Sequence, residues 1–406
     1  MAYVRKRYFD LLWRYLHGEP RFLQAVVGPR QVGKTTLALQ LLKRWEGPKR
    51  YETADQPMIP TAQWIVDEWE KARRLSWQGK PDTLLVLDEV QKIPRWSEAV
   101  KMLVDEDKRR GLRLRVVLLG SSALLMQKGL SESLAGRFEL HRHPHWSFRE
   151  CRECFGLSVE EYLYFGGYPG ALLLRKEEER WRGFIRDSLI ETVLSKDVLL
   201  IWPVLKPALL RQAFGVVISH PAEILSYQKM LGTLQDAGNT TTIASYLRLL
   251  SHAFLLAPLE RFSGSRVKQR GSTPKIIALD NALVTAMMTT TFQQAKRDAS
   301  LWGRLVENAV GAQLYWALQN LGGELLYWRD RQDEVDFIAV QGEKVSAVEV
   351  KSGKETAFPE GLDVFKRRYP EARTILIAGH RKPSTAKAAQ EVMTMDRFLL
   401  QEMTLP

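Results

Sequence analysis

The sequence predicts an α/β protein with several domains and a mostly parallel sheet in its N-terminal part. In about the first 150 residues, apolar strand-like runs alternate with amphipathic helical patterns, as in parallel α/β folds. Short helices and a basic, strand-like arm follow, and a second alternation of helix and strand patterns begins near residue 301. A chain of 406 residues is also too long for a single hydrophobic core.

The N-terminal region holds the segments that predict its sheet. Residues 1–20 are expected to form an amphipathic helix. They are not expected to be a signal peptide, because basic and acidic residues interrupt the segment and it has no apolar centre. The predicted strands are FLQAVVG, KRYETA, TLLVLDEV, LRVVLLGSS and RFELHRH. Nearly continuous helix is expected from residue 158 to about residue 200, broken once by GGYPG.

Composition indicates a globular protein with an excess of positive charge. Hydrophobic residues make up 45% of the chain and charged residues 26%, and the net charge is +12. Such an excess suggests an anionic partner such as nucleic acid. No apolar run reaches the roughly 18–20 residues that a membrane span requires. We therefore expect a cytoplasmic protein that does not associate with membranes.

Residues 28–35, GPRQVGKT, match the phosphate-binding loop pattern G-x-x-x-x-G-K-[ST]. The segment follows an apolar strand and opens an amphipathic helix, which is the context that makes the pattern specific. Backbone N–H groups would surround the phosphates, Lys34 would contact the β- and γ-phosphates, and Thr35 would bind Mg²⁺. The predicted nucleotide contacts are Gly28, Pro29, Arg30, Gln31, Val32, Gly33, Lys34, Thr35 and Thr36.

Later segments supply residues that would complete this site. Asp88 ends a buried strand and would hold Mg²⁺, while Glu89 would orient and deprotonate the attacking water. Ser121 and Ser122 end the next strand, where a hydroxyl would contact the γ-phosphate or the water. Arg137 would stabilise transition-state charge near or across a subunit boundary, with a structural salt bridge as the alternative.

The region from about residue 207 to residue 286 has the order of a winged helix-turn-helix. Two short helices, LSYQKMLGTLQ and TTTIASYLRLLSHAFLL, precede a hairpin-like arm, and Thr240 is expected to cap the second helix. From residue 261 to residue 275 the arm carries cations and no acidic residue, which suits phosphate contact. These cations are Arg261, Arg266, Lys268, Arg270 and Lys275. A solvated hairpin tip remains the alternative.

Three charged residues in YWRDRQDEVDFIAVQGEKVSAVEVKSG lie on predicted strands. Glu349 and Lys351 are two residues apart and share a face, and a hairpin would bring Asp336 beside Glu349. Two adjacent carboxylates favour a cation between them, so Mg²⁺ or Mn²⁺ bound by Asp336 and Glu349 is predicted. Asp333 and Glu334 are expected in the turn. An ion pair of Glu349 with Lys351 on a polar face is the alternative.

The segment HRHPHWSFRECREC contains the two cysteines of the chain, which exclude a disulfide framework. A zinc site is conceivable because alternate strand positions share a face. The favoured interpretation is an ordinary polar strand edge followed by a helix, because the Cys-x-x-C lacks a partner pair and Pro144 would disturb the strand. The five residues concerned are His141, His143, His145, Cys151 and Cys154.

Several segments together resemble the prokaryotic AAA-type ATPases of the archaeal-ATPase-like branch. The segments are VVGPRQVGKTTLALQL, YETADQP, LVLDEVQKIPRW, LLGSSALLM, SLAGRFELHRHPHWSFRE, YLYFGGYPG, GRLVENAVGAQL, EVDFIAV and AVEVKSG. In that group a winged-helix region and a domain resembling the PD-(D/E)xK nuclease fold follow the ATPase. The segment HPHWSF departs from the group, where PLSF-type residues are expected.

The resemblance implies an AAA-type core with strand order 5-1-4-3-2, ATP as the nucleotide, and Arg137 near the γ-phosphate. It also implies that Glu307 joins Asp336, Glu349 and Lys351 in a restriction-endonuclease-like site, and that Lys366, Arg367 and Arg368 follow it on a helix that could meet DNA backbone. The expected domains are an AAA-type ATPase core (1–157), a helical lid (158–204), a winged helix-turn-helix (205–290) and a nuclease-like α/β domain (300–400).

The function expected from these features is ATP hydrolysis coupled to a metal-dependent nuclease-like domain that acts on DNA, with branched DNA, repair, recombination and defence all open. A ring or dimer formed through Arg137 is also expected. The alternative is a nucleotide-switch NTPase in signalling or defence, whose C-terminal domain binds nucleic acid without cleaving it.

Overall fold

The computed structural model divides the chain into two compact units, residues 1–144 and residues 145–406. The residues it describes are 3–19, 22–76, 82–120, 126, 129–130, 133–199, 206–234, 239–263, 269, 271–353, 359–379 and 391–401. None of the helices within these ranges is long and apolar enough to cross a membrane.

The first unit is built on a parallel sheet. Its described strands are β1 (Leu23–Val27), β2 (Lys49–Thr53), β3 (Thr83–Asp88), β4 (Leu114–Gly120) and β5 (Phe138–Arg142). They lie side by side in the order β2-β3-β4-β1-β5, and every pairing is parallel. The expected parallel sheet and strand order are therefore confirmed. Because all strands run the same way, the carboxyl ends of β1, β3 and β4 lie at one edge of the sheet.

Helices cover the sheet because its central strands are apolar on both faces. The helices are α1 (Lys6–His17), α2 (Lys34–Arg44), α3 (Ala62–Ser76) and α4 (Trp96–Arg110). Every residue of β1 and of β3 is buried, as expected for a parallel sheet covered on both sides. The predicted N-terminal amphipathic helix is present as α1, which packs Phe9 and Leu12 into a core shared with α2.

The second unit begins with short helices rather than one nearly continuous helix. They are α5 (Phe148–Phe155), α6 (Val159–Phe165), α7 (Pro169–Leu172) and α8 (Glu178–Gly183), followed by wider, π-type turns over Phe184–Ile190 and Val193–Val198. Ser147 and Ser158 cap α5 and α6 in full capping boxes, which fix separate helix starts. The Gly166–Gly167 pair ends α6, as the GGYPG break predicts.

The middle of the second unit, where a winged helix was predicted, contains helices and a small antiparallel sheet. Its helices are α9 (Pro207–Ile218), α10 (Tyr227–Thr233) and α11 (Thr240–His252), and its strands are β6 (Glu223–Ile224), β7 (Leu256–Leu259) and β8 (Lys275–Ala278). The strands pair antiparallel in the order β6-β8-β7. The expected cap at Thr240 is wrong by one position, because the side chain of Asn239 accepts the Thr242 N–H at 2.9 Å.

The C-terminal part of the second unit is a mixed five-stranded sheet, counted over the described residues, in the order β13-β12-β11-β10-β9. Its strands are β9 (Glu324–Asp330), β10 (Asp333–Gln341), β11 (Lys344–Lys351), β12 (Arg373–Ala378) and β13 (Glu391–Thr394). The neighbouring helices are α12 (Ala282–Thr285), α13 (Phe292–Arg297), α14 (Ala299–Leu321), α15 (Glu360–Arg368) and α16 (Met395–Leu400). Asp333 and Glu334, expected in a turn, belong to β10 because the turn from β9 is shorter than predicted.

Candidate functional site

The predicted phosphate-binding loop lies between β1 and α2, at the carboxyl edge of the first unit's sheet. The Lys34 ammonium lies inside the loop and donates hydrogen bonds to the carbonyl oxygens of Gly28 at 2.9 Å and Pro29 at 2.5 Å. Its side chain is 7% exposed. Arg30 is partly exposed and Thr36 is exposed in the first turn of α2. The loop thus holds one buried cation at a helix N-terminus, an arrangement suited to phosphate.

Thr35 and Asp88 come together although they are 53 residues apart in sequence. The Thr35 hydroxyl donates to Oδ2 of Asp88 at 2.8 Å, and the Tyr51 hydroxyl donates to the same oxygen at 2.8 Å. Burial and the adjacent Asp88 carboxylate raise the pKa of Tyr51 above its ordinary range, so its hydroxyl stays protonated. Tyr51 on β2 was not predicted as a site residue. The hydroxyl and carboxylate oxygens of Thr35 and Asp88 are donors of the kind that Mg²⁺ prefers.

Glu89 follows β3 in a left-handed backbone conformation, with φ 55° and ψ 28°. A non-glycine residue rarely adopts this conformation, and such residues concentrate at functional sites. Its carboxylate accepts a hydrogen bond from the buried Gln91 side chain at 2.5 Å. Gln91 was not predicted as a site residue. The only feature of the sequence that could have indicated it is its position two residues after Glu89. Gln91 fixes the carboxylate that was predicted to activate water.

Only glycine fits at position 28, because the main chain just after β5 passes close to it. A Cβ atom at this position would lie 2.0 Å from the carbonyl oxygen of His143. Arg5 braces the same place, since its guanidinium contacts His143 Nε2 at 3.1 Å and donates to the Pro144 carbonyl at 2.8 Å and the Val32 carbonyl at 3.4 Å. Arg5 and His143, which lie outside the motif, therefore stabilise the position of the loop.

One predicted member of the site, Arg137, stands apart from this group. Ser121 lies outside the described residues. Arg137 precedes β5 at the opposite edge of the sheet, because Phe138 pairs with Leu23 at the start of β1. The length of β1 then separates Arg137 from the loop by about 13 Å along the strand. Arg137 forms a two-pronged ion pair with Asp105, at 2.7 and 3.1 Å, so in its own chain it has the structural role that was the alternative.

The four C-terminal residues that were predicted to meet do come together. Asp336 on β10 accepts the Val350 N–H at 2.9 Å, and the Asp336 N–H donates to the Glu349 carboxylate at 3.2 Å. Lys351 lies 3.1 Å from Glu349 on β11. Glu307, on α14, joins them through its contact with Lys275.

Lys275 on β8 places its ammonium among these carboxylates. Its nitrogen lies 2.6 Å from Glu307 Oε1, 3.1 Å from Asp336 Oδ1 and 3.5 Å from Glu334 Oε1. The side chain is only 1% exposed, so the prediction that Lys275 belongs to a solvent-facing basic arm is wrong. We call Lys275, Glu307, Asp336, Glu349 and Lys351 the C-terminal charge cluster.

Burial and the neighbouring charges raise the pKa of some carboxyl groups in the cluster and lower that of another. Burial raises the pKa of Glu307 to about 8 and that of Glu349 to about 7, and the Asp336 charge adds to both shifts. Burial also acts to raise the pKa of Asp336, but Lys275 and the Val350 N–H hold it below its ordinary value. Burial acts to lower the pKa of Lys275, yet the three carboxylates keep it above its ordinary range. The ion pair of Lys275 with Asp336 is therefore fully charged at neutral pH.

The two predicted metal sites differ in how well their residues suit a divalent ion. Thr35 and Asp88 offer adjacent oxygen donors beside the phosphate-binding loop. In the charge cluster, by contrast, a lysine ammonium already lies against the oxygens of Glu307 and Asp336. Within the described ranges, no group of three or more His, Cys, Asp or Glu side chains is arranged to hold a metal ion. The cluster as folded here does not suit the Mg²⁺ or Mn²⁺ predicted for it.

A cleft of about 480 Å³ in the second unit is lined by basic and hydroxyl side chains. Lys229 on α10, Arg261 after β7 and Arg329 on β9 are all exposed around it, together with Ser272 and Thr273. The main chain of residues 260–262 pairs with Tyr327, which brings Arg261 next to β9. None of the three cations forms an ion pair with a described residue. The other predicted wing cations, Arg266, Lys268 and Arg270, lie outside the described residues.

The basic residues of α15 are largely engaged within the chain. Lys366 donates to the carbonyl oxygens of Pro370 at 2.6 Å and Ala372 at 2.7 Å. Arg368 pairs with Asp330. Both side chains cap or brace the end of the helix, so their predicted contact with a DNA backbone would compete with these bonds.

The histidines considered for zinc each have another partner. His141 contacts the Gln24 side chain at 2.6 Å and His145 contacts the Tyr168 hydroxyl at 2.8 Å, while His143 contacts Arg5. Burial lowers the pKa of His141 to about 4, and burial together with the nearby Arg5 charge lowers the pKa of His143 well below its ordinary value. Cys151 is buried and Cys154 is exposed. These contacts favour ordinary structural roles for the three histidines.

Three family models match successive parts of the chain. A model described as an AAA domain matches residues 21–152. Two models described as domains of unknown function, DUF8612 and DUF4143, match residues 157–294 and 302–398. None of the curated proteins is significantly similar in sequence to this chain.

Solved structures resemble the chain only weakly. An ORC1 protein of Aeropyrum pernix in complex with DNA is 14% identical with a TM-score of 0.32, over 71% of this chain and 92% of that chain. The RuvB Holliday junction branch migration motor of Thermotoga maritima is 15% identical with a TM-score of 0.33, over 62% of this chain and 88% of that chain.

Proposed function

We propose that this chain, whose residues 21–152 match an AAA domain, hydrolyses ATP at the loop between β1 and α2. The observation that carries the proposal is the joint placement of a buried lysine inside the loop and of Thr35 beside Asp88. Mg²⁺ bound with the nucleotide would neutralise charge that develops on the phosphate oxygens. Thr35 and Asp88 are the residues that would hold it.

Each residue of this site has a separate task in the proposed reaction. Lys34 exchanges its bonds with the loop carbonyls for bonds with phosphate oxygens, and the α2 N-terminus binds the same anion through its N–H groups. Glu89, oriented by Gln91, accepts a proton from the attacking water. Tyr51 keeps the Asp88 carboxylate oriented towards Thr35. Positioning and charge stabilisation then account for most of the catalysis.

Substitution of Lys34 by alanine tests the ATPase proposal. We expect ATP turnover of Lys34→Ala to fall to the background rate, because the buried cation that contacts the phosphates is lost. Lys43→Ala is the matched control, since Lys43 is an exposed lysine on the same helix and should leave turnover unchanged. Normal turnover by Lys34→Ala, measured as phosphate release, would exclude this loop as the hydrolysis site.

A second candidate function, nucleic-acid binding, is favoured by the cleft around Lys229, Arg261 and Arg329. Three exposed cations with no ion-pair partner among the described residues converge there beside hydroxyl groups. Such a set suits consecutive backbone phosphates, which are recognised mainly through charge and hydrogen bonds. DNA is the expected ligand, in keeping with the net charge of +12.

Charge reversal tests the cleft. We expect the triple substitution Lys229→Glu, Arg261→Glu and Arg329→Glu to weaken binding of labelled duplex DNA and to lower the salt dependence of binding by about 2–3 ions, because roughly 0.9 ion is released per phosphate contact. The control carries Lys176→Glu, Lys344→Glu and Arg397→Glu, which change the net charge equally at exposed positions elsewhere. Equal losses in both triple variants would show that only net charge matters.

The predicted DNA cleavage stays a prediction. The meeting of Glu307, Asp336, Glu349 and Lys351 supports it, whereas the ammonium of Lys275 within the cluster opposes it. We therefore favour the alternative in which the C-terminal domain binds nucleic acid without cleaving it. Divalent-metal-dependent cleavage of duplex or branched DNA by the wild-type chain, abolished by Asp336→Ala, would refute this choice.

Self-association through Arg137 also stays a prediction. Its pairing with Asp105 leaves it partly exposed, at 33%, so it remains accessible to a neighbouring subunit. In a ring or dimer it would stabilise transition-state charge in trans. Light scattering with and without ATP tests assembly, and a monomer under both conditions would exclude a role in trans.

A further inference from the structure

The C-terminal charge cluster contains a cation supplied from outside its own sheet. Lys275 belongs to β8 in the three-stranded winged-helix sheet, whereas Asp336 and Glu349 belong to the five-stranded C-terminal sheet. The lysine is among the largest fully buried side chains of the described chain. Burying an ammonium group without a partner costs much free energy, so the burial of Lys275 depends on the carboxylates around it.

The remaining oxygens of the cluster are already in use. Asp336 Oδ2 accepts the Val350 N–H, and the Glu349 carboxylate accepts the Asp336 N–H and pairs with Lys351. Glu307 Oε2 lies 3.7 Å from the Arg304 guanidinium. Glu307 Oε1 and Asp336 Oδ1 are the two oxygens that Lys275 contacts most closely. A divalent ion binding between them would have to occupy the volume of the ammonium and would be repelled by its charge.

We propose that Lys275 is the resident cation of this cluster, so that the cluster excludes divalent metal ions and becomes a metal site only when that positive charge is removed. The proposal goes beyond ATP hydrolysis and nucleic-acid binding, because it says that a lysine side chain takes the place of the metal ion in this nuclease-like cluster. It depends on the contacts of Lys275 alone, so it stands or falls independently of the ATPase.

Substitution by methionine separates the charge of Lys275 from its volume. Methionine fills most of the space of the lysine stem but leaves Glu307 and Asp336 without their common cation. A divalent ion can then bind Asp336 and displace the proton of Glu307, because the two oxygens no longer contact an ammonium. Lys351→Met is the matched control, because it removes an ammonium from the same cluster but at its partly exposed rim, on Glu349.

Manganese binding, measured by electron paramagnetic resonance on the full chain without nucleotide at pH 8, tests the proposal. We expect Lys275→Met to bind one Mn²⁺ equivalent that wild type does not bind, and to lose it when Asp336→Asn is added. Lys275→Arg, which keeps the charge, and Lys351→Met should show no such gain. Equal Mn²⁺ binding by Lys275→Met and Lys351→Met would overturn the proposal.

A comparison that needs no change at Lys275 keeps the test decisive if Lys275→Met does not fold. Wild type, Asp336→Asn and Glu307→Gln are titrated with Mn²⁺ under the same conditions. We expect the same Mn²⁺ stoichiometry in all three, because the wild-type cluster binds no metal. A wild-type equivalent that both single variants lose would show that the cluster is already a metal site, and would refute the resident-cation assignment.

Discussion

At the scale of single residues, Asp280 is a buried carboxyl group whose ionisation opposes folding. Its two oxygens accept the N–H groups of Gly167 and Ala282, each at 2.8 Å. Burial raises its pKa to about 7, because those two bonds offset only part of the lost hydration. The folded chain therefore binds a proton that the unfolded chain releases, and this contribution to the free energy of unfolding falls as pH rises from about 4 to about 7.

Asp280→Asn removes this ionisation. We expect the variant to be less stable than wild type at pH 4.5, by about 1–3 kcal/mol, because asparagine offers one acceptor oxygen in place of two. The deficit should shrink by up to about 1.4 kcal/mol per pH unit towards pH 7, where wild-type Asp280 must ionise. Chemical denaturation at several pH values measures the difference, in which the titration of Glu307 and Glu349 cancels. A deficit that does not change with pH would contradict the assignment.

At the scale of elements, the GGYPG turn shows how a short motif fixes a helix end. Gly166 has φ 69° and ψ −160°, a conformation almost restricted to glycine, and a Cβ atom there would lie 1.9 Å from Asp280 Oδ1. We expect Gly166→Ala to lower the free energy of unfolding by at least about 2 kcal/mol, since both strain and a clash are introduced.

Gly215→Ala is the matched control for this prediction. Gly215 lies inside α9, and a Cβ atom there meets nothing within 4 Å. Alanine at this position should stabilise the chain by about 0.5–1 kcal/mol through its helix propensity. Thermal or chemical denaturation of both variants provides the comparison, and equal effects would show that the turn does not depend on Gly166.

Local sequence signals were enough to predict some elements but not the side-chain partners between them. The parallel strands, the phosphate-binding loop and the convergence of Asp336 with Glu349 follow from periodicity and spacing, which act over a few residues. Lys275 could not be placed this way, because its contact with Asp336 spans 61 residues and joins two sheets. The misplaced cap at Thr240 has a simpler cause, since Asn239 beside it is an equally good capping residue.

At the scale of the whole molecule, the chain combines an N-terminal unit whose site suits nucleotide with a second unit that carries two charged features of different kinds. The cleft around Lys229, Arg261 and Arg329 is open, and its cations form no ion pair within the described part of the chain. The charge cluster around Lys275 is buried and internally paired. This contrast supports the proposal that the chain hydrolyses ATP and binds nucleic acid without cleaving it.

The most direct test of the proposed ATP hydrolysis is a single-turnover measurement on Glu89→Gln, with nucleotide affinity measured on the same samples. Glutamine keeps the size of the side chain but cannot accept the proton of water. The predicted result is a rate of ATP cleavage lower by about 10²–10⁴ with an unchanged dissociation constant for ATP. The exposed Glu46→Gln serves as the control and should behave as wild type. Cleavage by Glu89→Gln at the wild-type rate would contradict the account.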